Sequence, residues 1–397
     1  MNQLTQGKAK SKPFPQWPQS DERELELITE VLKSGKWWRM AGSKVEEFEK
    51  NFAKLHEVKY CLGVTNGTHA LELALAALDI HRGDEVIVPA VTFISTGSSV
   101  IHENATPVLV DIEKDTFCMS PEAFENAITP KTKAVIPVHM AGHACDMKKI
   151  CAIAQKHNIK VIEDAAHAHG GSCYNKAIGS FGDIAIFSFQ NGKIMTCGEG
   201  GALITNNREI YERAYLIHGV GRPKNDRIYE HSIMGSNYRM NEFQAAILIA
   251  QQERLSFMNM KRHKNALLLN QYLENVEGIE PQGFRDYANG ITHYMYMFYY
   301  DENKFNGLSR RDFVDRLIEE GIPAFICFPV LSNTTFFKRN DFGHRIDNYD
   351  KENEADLSNA NRIANEVVWL PHYTLLGDEQ DIKEIMEAIV KIQSEMT

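Results

Sequence analysis

The sequence predicts an α/β fold in two parts: a large domain on a mostly parallel sheet covered on both faces, then a smaller C-terminal α+β domain. Three observations carry this. Short apolar runs alternate with helical stretches from Lys59 to Asp164, the pattern of β-α-β units. After about Asn275 the pattern restarts with the strand-like run HYMYMFYY and two further helical stretches. The chain has 397 residues, 43% of them hydrophobic, with 26 Gly and 13 Pro, so it can bury a large core and is neither disordered nor collagen-like.

The first twenty residues are polar and contain Pro13, Pro15 and Pro18, so they are expected to wrap or trail as an arm rather than to pack. Apolar residues at helical spacing predict a helix from Glu22 to Leu32 and another from Val45 to Leu55. Between them, Gly35-Lys-Trp-Trp-Arg-Met carries a tryptophan pair that either packs a seam between domains or meets a substrate. YCLGV, EVIVP, PVLVDI, AVIPV and KVIED are expected strands; HALELALAAL and Met147 to His157 are expected helices. DIAIFSF and GALIT are separated by a short loop and are expected as neighbouring or antiparallel strands. Asn241 to Leu273 reads as one long helix, a spine leaving the first domain. HYMYMFYY, a helix from Arg310 to Glu320 and a final helix from Glu379 to Ser394 then form the small domain. The expected division is an arm over 1–20, a large domain over 21–265 and a small domain over 266–397. There is no internal repeat.

Lys and Arg number 43 against 53 Asp and Glu, a net charge of −10, with no basic block. That excludes the footprint of a nucleic-acid or anionic-membrane partner. The seven cysteines form no CxxC pair and are odd in number, so neither a disulfide framework nor a zinc ribbon is suggested, and most are expected as buried small hydrophobes. The N-terminus has no apolar signal-peptide core. The longest uncharged stretch, around Ile87 to Ile101, is too short and too rich in Pro, Thr, Ser and Gly to span a bilayer. A cytoplasmic protein is the expectation.

In an open α/β sheet, ligands sit beyond the carboxyl ends of the strands, so the residues after each apolar run carry the functional signal. After YCLGV the chain reads Thr65-Asn66-Gly67-Thr68-His69-Ala70 and turns into a helix. Free N–H groups, a hydroxyl and the positive helix end would converge there as a phosphate seat, although the same residues are ordinary caps. No Walker or GxGxxG pattern occurs. After KVI come Glu163, Asp164, His167 and His169. Asp164 could hold a cation or cap a following helix; as metal ligands, Asp164, His167 and His169 match no metallohydrolase spacing, and no metal is expected. After DIAIF, Lys193 lies among apolar and small residues before a glycine-rich turn, a setting that either makes it an amine nucleophile or lets it snorkel to solvent.

Together, a phosphate anchor, an acid at a strand end and a desolvated lysine are the parts that hold pyridoxal phosphate. Phe93, closing EVIVPAVTF, offers a flat face for its ring. On TNGTHALELAL, EVIVPAVTF, VIEDAAHAHG, FSFQNGKIMTCGEGGALIT and GSNYRMNEFQAAIL, the chain from about Trp17 onward resembles the DegT/DnrJ/StrS family of sugar and aminocyclitol aminotransferases. SGKWWRMAG, PVHMAG, DAAHAHG, FSFQNGK and GSNYRMNEF are most similar to the 3-amino-5-hydroxybenzoate synthases within it, and next to the 2-deoxy-scyllo-inosose aminotransferases.

The resemblance implies a fold-type I enzyme (aspartate aminotransferase-like) with a seven-stranded sheet and pyridoxal 5′-phosphate held as an aldimine on Lys193. It implies further that Asp164 pairs with the pyridine nitrogen, Phe93 stacks on the ring, and Gly67, Thr68 and Ser188 bind the phosphate. His167 stands where the family often has Gln, near the phenolic oxygen. Asn237 matches an asparagine reaching the phosphate of the neighbouring subunit, which implies a homodimer with shared active sites. The implied activity moves an amino group from L-glutamate or L-glutamine to a ketone of a sugar, sugar derivative or cyclitol. An aromatising dehydratase like the hydroxybenzoate synthases is the alternative, and a non-catalytic cofactor-binding regulator is one of another class. The related sugar 3-dehydrases carry His at the lysine position, whereas Lys193 is present here. Where the family often reads HYxPLH, this chain has Phe325-Ile-Cys-Phe-Pro-Val330. Trp37, Trp38, Arg39, His293, Tyr294 and His372 are candidates for lining the acceptor pocket, Arg39 through an anionic group.

Overall fold

The computed structural model describes residues 10, 12–224, 226–340, 342, 343, 345, 346 and 356–395. Two helices precede the sheet, α1 (Glu22–Ser34) and α2 (Lys44–Leu55). Asp21 and Glu24 form a capping box on α1, which ends at Gly35 in the left-handed region (φ 64°), where a side chain would be strained. Ser43 makes no side-chain cap to α2. Glu242, far along the chain, accepts instead from the N–H groups of Lys44 (2.6 Å) and Val45 (3.2 Å).

The large sheet is built from β1 (Tyr60–Val64), α3 (Gly67–Ala77), β2 (Glu85–Pro89), α4 (Ile94–His102), β3 (Thr106–Val110), α5 (Pro121–Asn126), β4 (Thr132–Val135), α6 (Met147–Lys156) and β5 (Lys160–Asp164). A small hairpin, β6 (Ser172–Cys173) and β7 (Lys176–Ala177), leads to β8 (Ile184–Ser188), β9 (Gly201–Thr205) and α7 (Arg208–His218). Strand order is β1-β9-β8-β5-β4-β2-β3, and β9 runs against its two neighbours while the other pairings are parallel. The β8–β9 connection contains no helix, so the chain returns antiparallel, as the short loop predicted. Alternation along the strands splits the core between the two faces: Ile184, Ile186 and Leu203 join one cluster, Ala185, Phe187, Ala202 and Ile204 the other.

The long α8 (Glu242–Leu273) begins with a capping box between Asn241 and Gln244. Its first half, through Ala245, Leu248 and Ile249, belongs to a large-sheet core; its second half, through Ala266, Leu269 and Leu273, belongs to a third core. The position expected to divide the domains, 265/266, thus falls inside one continuous helix. Beyond it come β10 (Ile279–Pro281), β11 (Met295–Tyr300), α9 (Arg310–Glu319), β12 (Phe325–Ile326), α10 (Thr335–Arg339), α11 (Ser358–Glu366), β13 (Val367–Pro371) and α12 (Glu379–Glu395). The four strands form an antiparallel sheet ordered β10-β11-β13-β12.

One expectation needs correction. Residues 1–9 and 11 of the arm lie outside the described residues; of the rest, half is exposed, but two aromatics pack: Phe14 is buried in the third core, and the Trp17 and His372 rings meet edge to face at 4.5 Å. Two aromatic anchors outweigh the polar composition around them. Trp37 and Trp38 are half exposed, with Trp37 leaning on Phe243. All seven cysteines are free thiols, five of them buried. No helix among the described residues is long and apolar enough to cross a membrane.

The fully buried Glu163 side chain ties β5 to the start of β8. It accepts from the N–H groups of Gly179 (2.9 Å), Phe181 (2.8 Å) and Gly182 (2.7 Å) and from His139 Nε2 (3.2 Å). Burial alone would raise its pKa, but His139 and these N–H groups hold it below the usual carboxylate value. Glu163→Ala, which strands three N–H groups, is expected to cost about 3–5 kcal/mol in urea unfolding. A loss under about 1 kcal/mol would show that the loop does not depend on this carboxylate.

Candidate active site

Four segments meet at the carboxyl edge of the large sheet. From β1, Asn66 caps α3, accepting from His69 N (2.8 Å), which leaves the N–H groups of Gly67 and Thr68 at the open end of the helix. Ser188, the last residue of β8, lies against this turn. A Cβ on Gly67 would come within 2.7 Å of Ser188 Cβ, so only glycine fits. Thr68 Oγ1 is 2.7 Å from Ser95 Oγ in the first turn of α4. Helix end and three hydroxyls form a cradle for a doubly charged oxyanion.

From β5, Asp164 is buried, with one carboxylate oxygen accepting from Thr96 Oγ1 (3.0 Å) and the other from Ala166 N (3.2 Å). No helix follows β5, so the capping role is not taken up; the contact to Ala166 closes a turn. Desolvation pushes the Asp164 pKa up, against the pull of Ala166 N–H, Lys193 and Thr96. Lys193, on the β8–β9 loop, is lowered to about 8 by burial, with Asp164 pulling the other way. Its Nζ stands 4.4 Å from the centre of the Tyr294 ring. The same tyrosine carries His167, stacked on it at 4.3 Å. Burial holds the His167 imidazole well below its usual pKa, hence neutral, and its Nδ1 is buried without a partner.

A cavity of about 640 Å³ joins these groups. Of the residues expected at the site, Gly67, Thr68, Phe93, Asp164, His167, Ser188 and Lys193 line it. Asn237 does not; it is exposed on the chain before α8, paired with Gly219. His169 turns away, its Nε2–H donating to Ser188 O (2.8 Å), and no metal-binding group of His, Cys, Asp or Glu is found among the described residues. Tyr294 is on the wall, but Trp37, Trp38, Arg39, His293 and His372 are not. Arg39 is instead engaged by both oxygens of Glu49 (2.5 and 3.0 Å), and His293 by His263 (3.0 Å). Sequence reasoning missed Ser95, Thr96, Phe328 and Trp369, which also line the cavity. Thr96 was within reach, three residues beyond Phe93; Phe328 lies in the segment that departs from the family pattern, and Trp369 comes from the small sheet.

These residues fit a phosphorylated pyridine aldehyde. The cradle suits its phosphate, the Asp164 carboxylate its ring nitrogen, the Lys193 amine its carbonyl, and the orphaned Nδ1 of His167 marks one polar group awaiting a partner. Residues 18–390 match the DegT/DnrJ/EryC1/StrS aminotransferase family. The chain belongs to that family. It is 42% identical over 385 residues to the 3-amino-5-hydroxybenzoate synthase of Amycolatopsis mediterranei, covering 96% of this chain and 97% of that one. It is 34% identical to the L-glutamine:2-deoxy-scyllo-inosose aminotransferase of Streptoalloteichus tenebrarius, over 96% and 95% of the two chains. Among solved structures, a 3-amino-5-hydroxybenzoic acid synthase superposes with a TM-score of 0.90 at 40% identity, covering 97% of this chain and all of the other. DesV of S. venezuelae, solved with a ketimine intermediate, gives 0.84 at 30% identity over 96% and 99%.

As a DegT/DnrJ/EryC1/StrS member of fold type I, the protein is an aminotransferase dependent on pyridoxal phosphate. The depressed Lys193 pKa has a direct test. Reductive labelling of the cofactor-free protein with formaldehyde, read by peptide mass spectrometry, should modify Lys193 with a midpoint near pH 8, below that of surface lysines. Asp164→Asn removes the group that raises the Lys193 pKa, so the midpoint should fall further. A midpoint typical of exposed lysine, about 10.4, would contradict the desolvated amine.

Proposed function

We propose that the protein transfers the amino group of L-glutamate or L-glutamine to a ketone of a sugar, sugar derivative or cyclitol, with Lys193 as the residue that joins the cofactor. The observation that carries this reading is the convergence of Lys193, Asp164 and the cradle of Gly67, Thr68 and Ser188 in one cavity. The similarity to aminocyclitol aminotransferases supports the acceptor class. Pyridoxal phosphate, when bound, supplies an electron-accepting ring through which an amino group and an α-proton are exchanged.

The residues divide that work. The α3 N–H groups and the hydroxyls of Thr68 and Ser188 hold the phosphate. Asp164, buried and fixed by Thr96 and Ala166, keeps a proton on the ring nitrogen. Phe93 stacks on the ring, and His167 stands near its phenolic oxygen. Lys193, whose amine loses its proton more readily than an ordinary lysine's, would take the proton from the donor's Cα and deliver it to the cofactor's aldehyde carbon, C4′; on the acceptor it would work in reverse. We further propose a cytoplasmic homodimer in which Asn237, exposed and outside its own cavity, reaches the partner's phosphate. The division into 21–265 and 266–397 with an N-terminal arm over 1–20 belongs to the same reading.

A second reading has its own support, the likeness to 3-amino-5-hydroxybenzoate synthases over nearly the whole chain. In it, Lys193 removes a proton beside the ketone of a ring that already carries an amino group, water leaves, and an aromatic amine results. The product tells the readings apart: a saturated amine for transamination, an aromatic chromophore for dehydration.

The purified protein is expected to show a visible cofactor band that L-glutamate or L-glutamine converts to the near-ultraviolet band of the aminated cofactor. Lys193→Ala should lose the visible band and at least about 10³-fold in turnover. Asp164→Ala should keep the band and slow the donor half-reaction by about 10²-fold or more. Full activity in Lys193→Ala would overturn the assignment.

A further inference from the structure

Two hydrogen bonds from opposite ends of the chain close on consecutive carbonyls of the loop that delivers Lys193. The indole N–H of Trp17 donates to Asn191 O (3.1 Å), and the Nε2–H of His372 donates to Gly192 O (3.2 Å). Trp17 belongs to the N-terminal segment, and His372 opens the short 3-10 turn after β13. Their rings meet edge to face at 4.5 Å, and His372 lies nearly parallel to Tyr294 at 6.1 Å. Tyr294 in turn carries Lys193 Nζ over its ring at 4.4 Å. Neither Trp17 nor His372 lines the cavity.

The guanidinium of Arg262 from α8 stands 5.5 Å from the Trp17 ring, fully buried. It donates one hydrogen bond to Asn259 (2.9 Å), while its Nε and Nη2 have no partner. The indole thus contacts both a buried cation and an imidazole. Burial, and then the charge of Arg262, keeps His372 neutral, well below its usual pKa. The ring therefore holds a single proton, and the Gly192 contact places it on Nε2, which leaves Nδ1 buried without a partner.

We infer that Trp17 and His372 are positioning residues: together they clamp the Asn191–Gly192 backbone, so that the N-terminal segment and the small sheet jointly fix the Lys193 amine. The inference rests on the reading of Lys193 as the cofactor-bearing residue. The physical need is plain. The segment from Gln190 to Gly200 has neither helix nor strand to hold it. Its own bonds, Lys193 N to Gln190 O (2.8 Å) and Gly192 N to Gln190 Oε1 (2.8 Å), lie on the N–H side of the turn. Outside groups reach it at Glu199 O, which accepts from Gln244 Nε2 (2.6 Å) at the far end, and at Asn191 O and Gly192 O, the two carbonyls beside the lysine, and small misplacement of a reacting group costs rate steeply.

The test uses the full-length variants Trp17→Phe, which keeps a ring but removes the donor, His372→Phe, and His372→Gln, which keeps an N–H donor. Hydrogen–deuterium exchange of peptides covering 189–197 is read with and without cofactor, beside kcat and KM for the amino donor and the unfolding midpoint. The two Phe variants are expected to exchange faster in this segment and to lose about tenfold in kcat with KM changed by less than about twofold. His372→Gln is expected to recover most of the loss. Unchanged exchange and kcat in both Phe variants overturns the clamp, as does a Gln variant no better than Phe. Failure of the Lys193 reading is seen separately, as wild-type protein that binds cofactor without using Lys193, because the exchange measurement needs no cofactor.

Discussion

Glu163 and Asp164 are neighbours at the end of β5, and strand geometry sends their side chains to opposite faces of the sheet. Glu163 faces inward and gathers the N–H groups of Gly179, Phe181 and Gly182, which fixes where β8 starts beside β5. Asp164 faces the cavity. Because β8 is pinned by one acid, Ile186 pairs with the other, Ser188 projects two residues beyond it at the cavity, and the loop that follows brings Lys193 to the same edge. A one-residue slip in this strand would exchange the two carboxylates and dismantle both the anchor and the site.

The same low-dielectric edge sets the charge states. Burial lowers the lysine to about 8, raises the aspartate and keeps His167 neutral, so in each group it disfavours the charged form. The open end of α3 offsets this desolvation for an anion alone, since its N–H groups and the hydroxyls of Thr68 and Ser188 are already oriented. The site thus favours a ligand with its phosphate at one end and a basic ring nitrogen at the other.

Much of this was legible because it is local. TNGTHA, VIED and FSFQNGK each place a functional side chain within a few residues of a strand end, where parallel-sheet topology already says a ligand belongs. What sequence could not show was long-range pairing. Arg39 read as an anion receptor because its bidentate partner Glu49 is only one of many acids nearby in the text. Phe14 and Trp17 were hidden in a polar, proline-rich segment that reads as an arm, yet each finds a specific partner on the small-sheet side. Phe328 and Trp369 reach the cavity from elements far from the motifs, and only the docking of the two sheets brings them there.

The central claim is that Lys193 bears the cofactor in a cavity that Asp164 and the α3 cradle complete. Borohydride reduction of the cofactor-loaded protein, followed by peptide mass spectrometry, tests it most directly. One phosphopyridoxyl group per chain on Lys193 is the predicted result. The same group on another lysine, or none on a protein that still turns over, would contradict it.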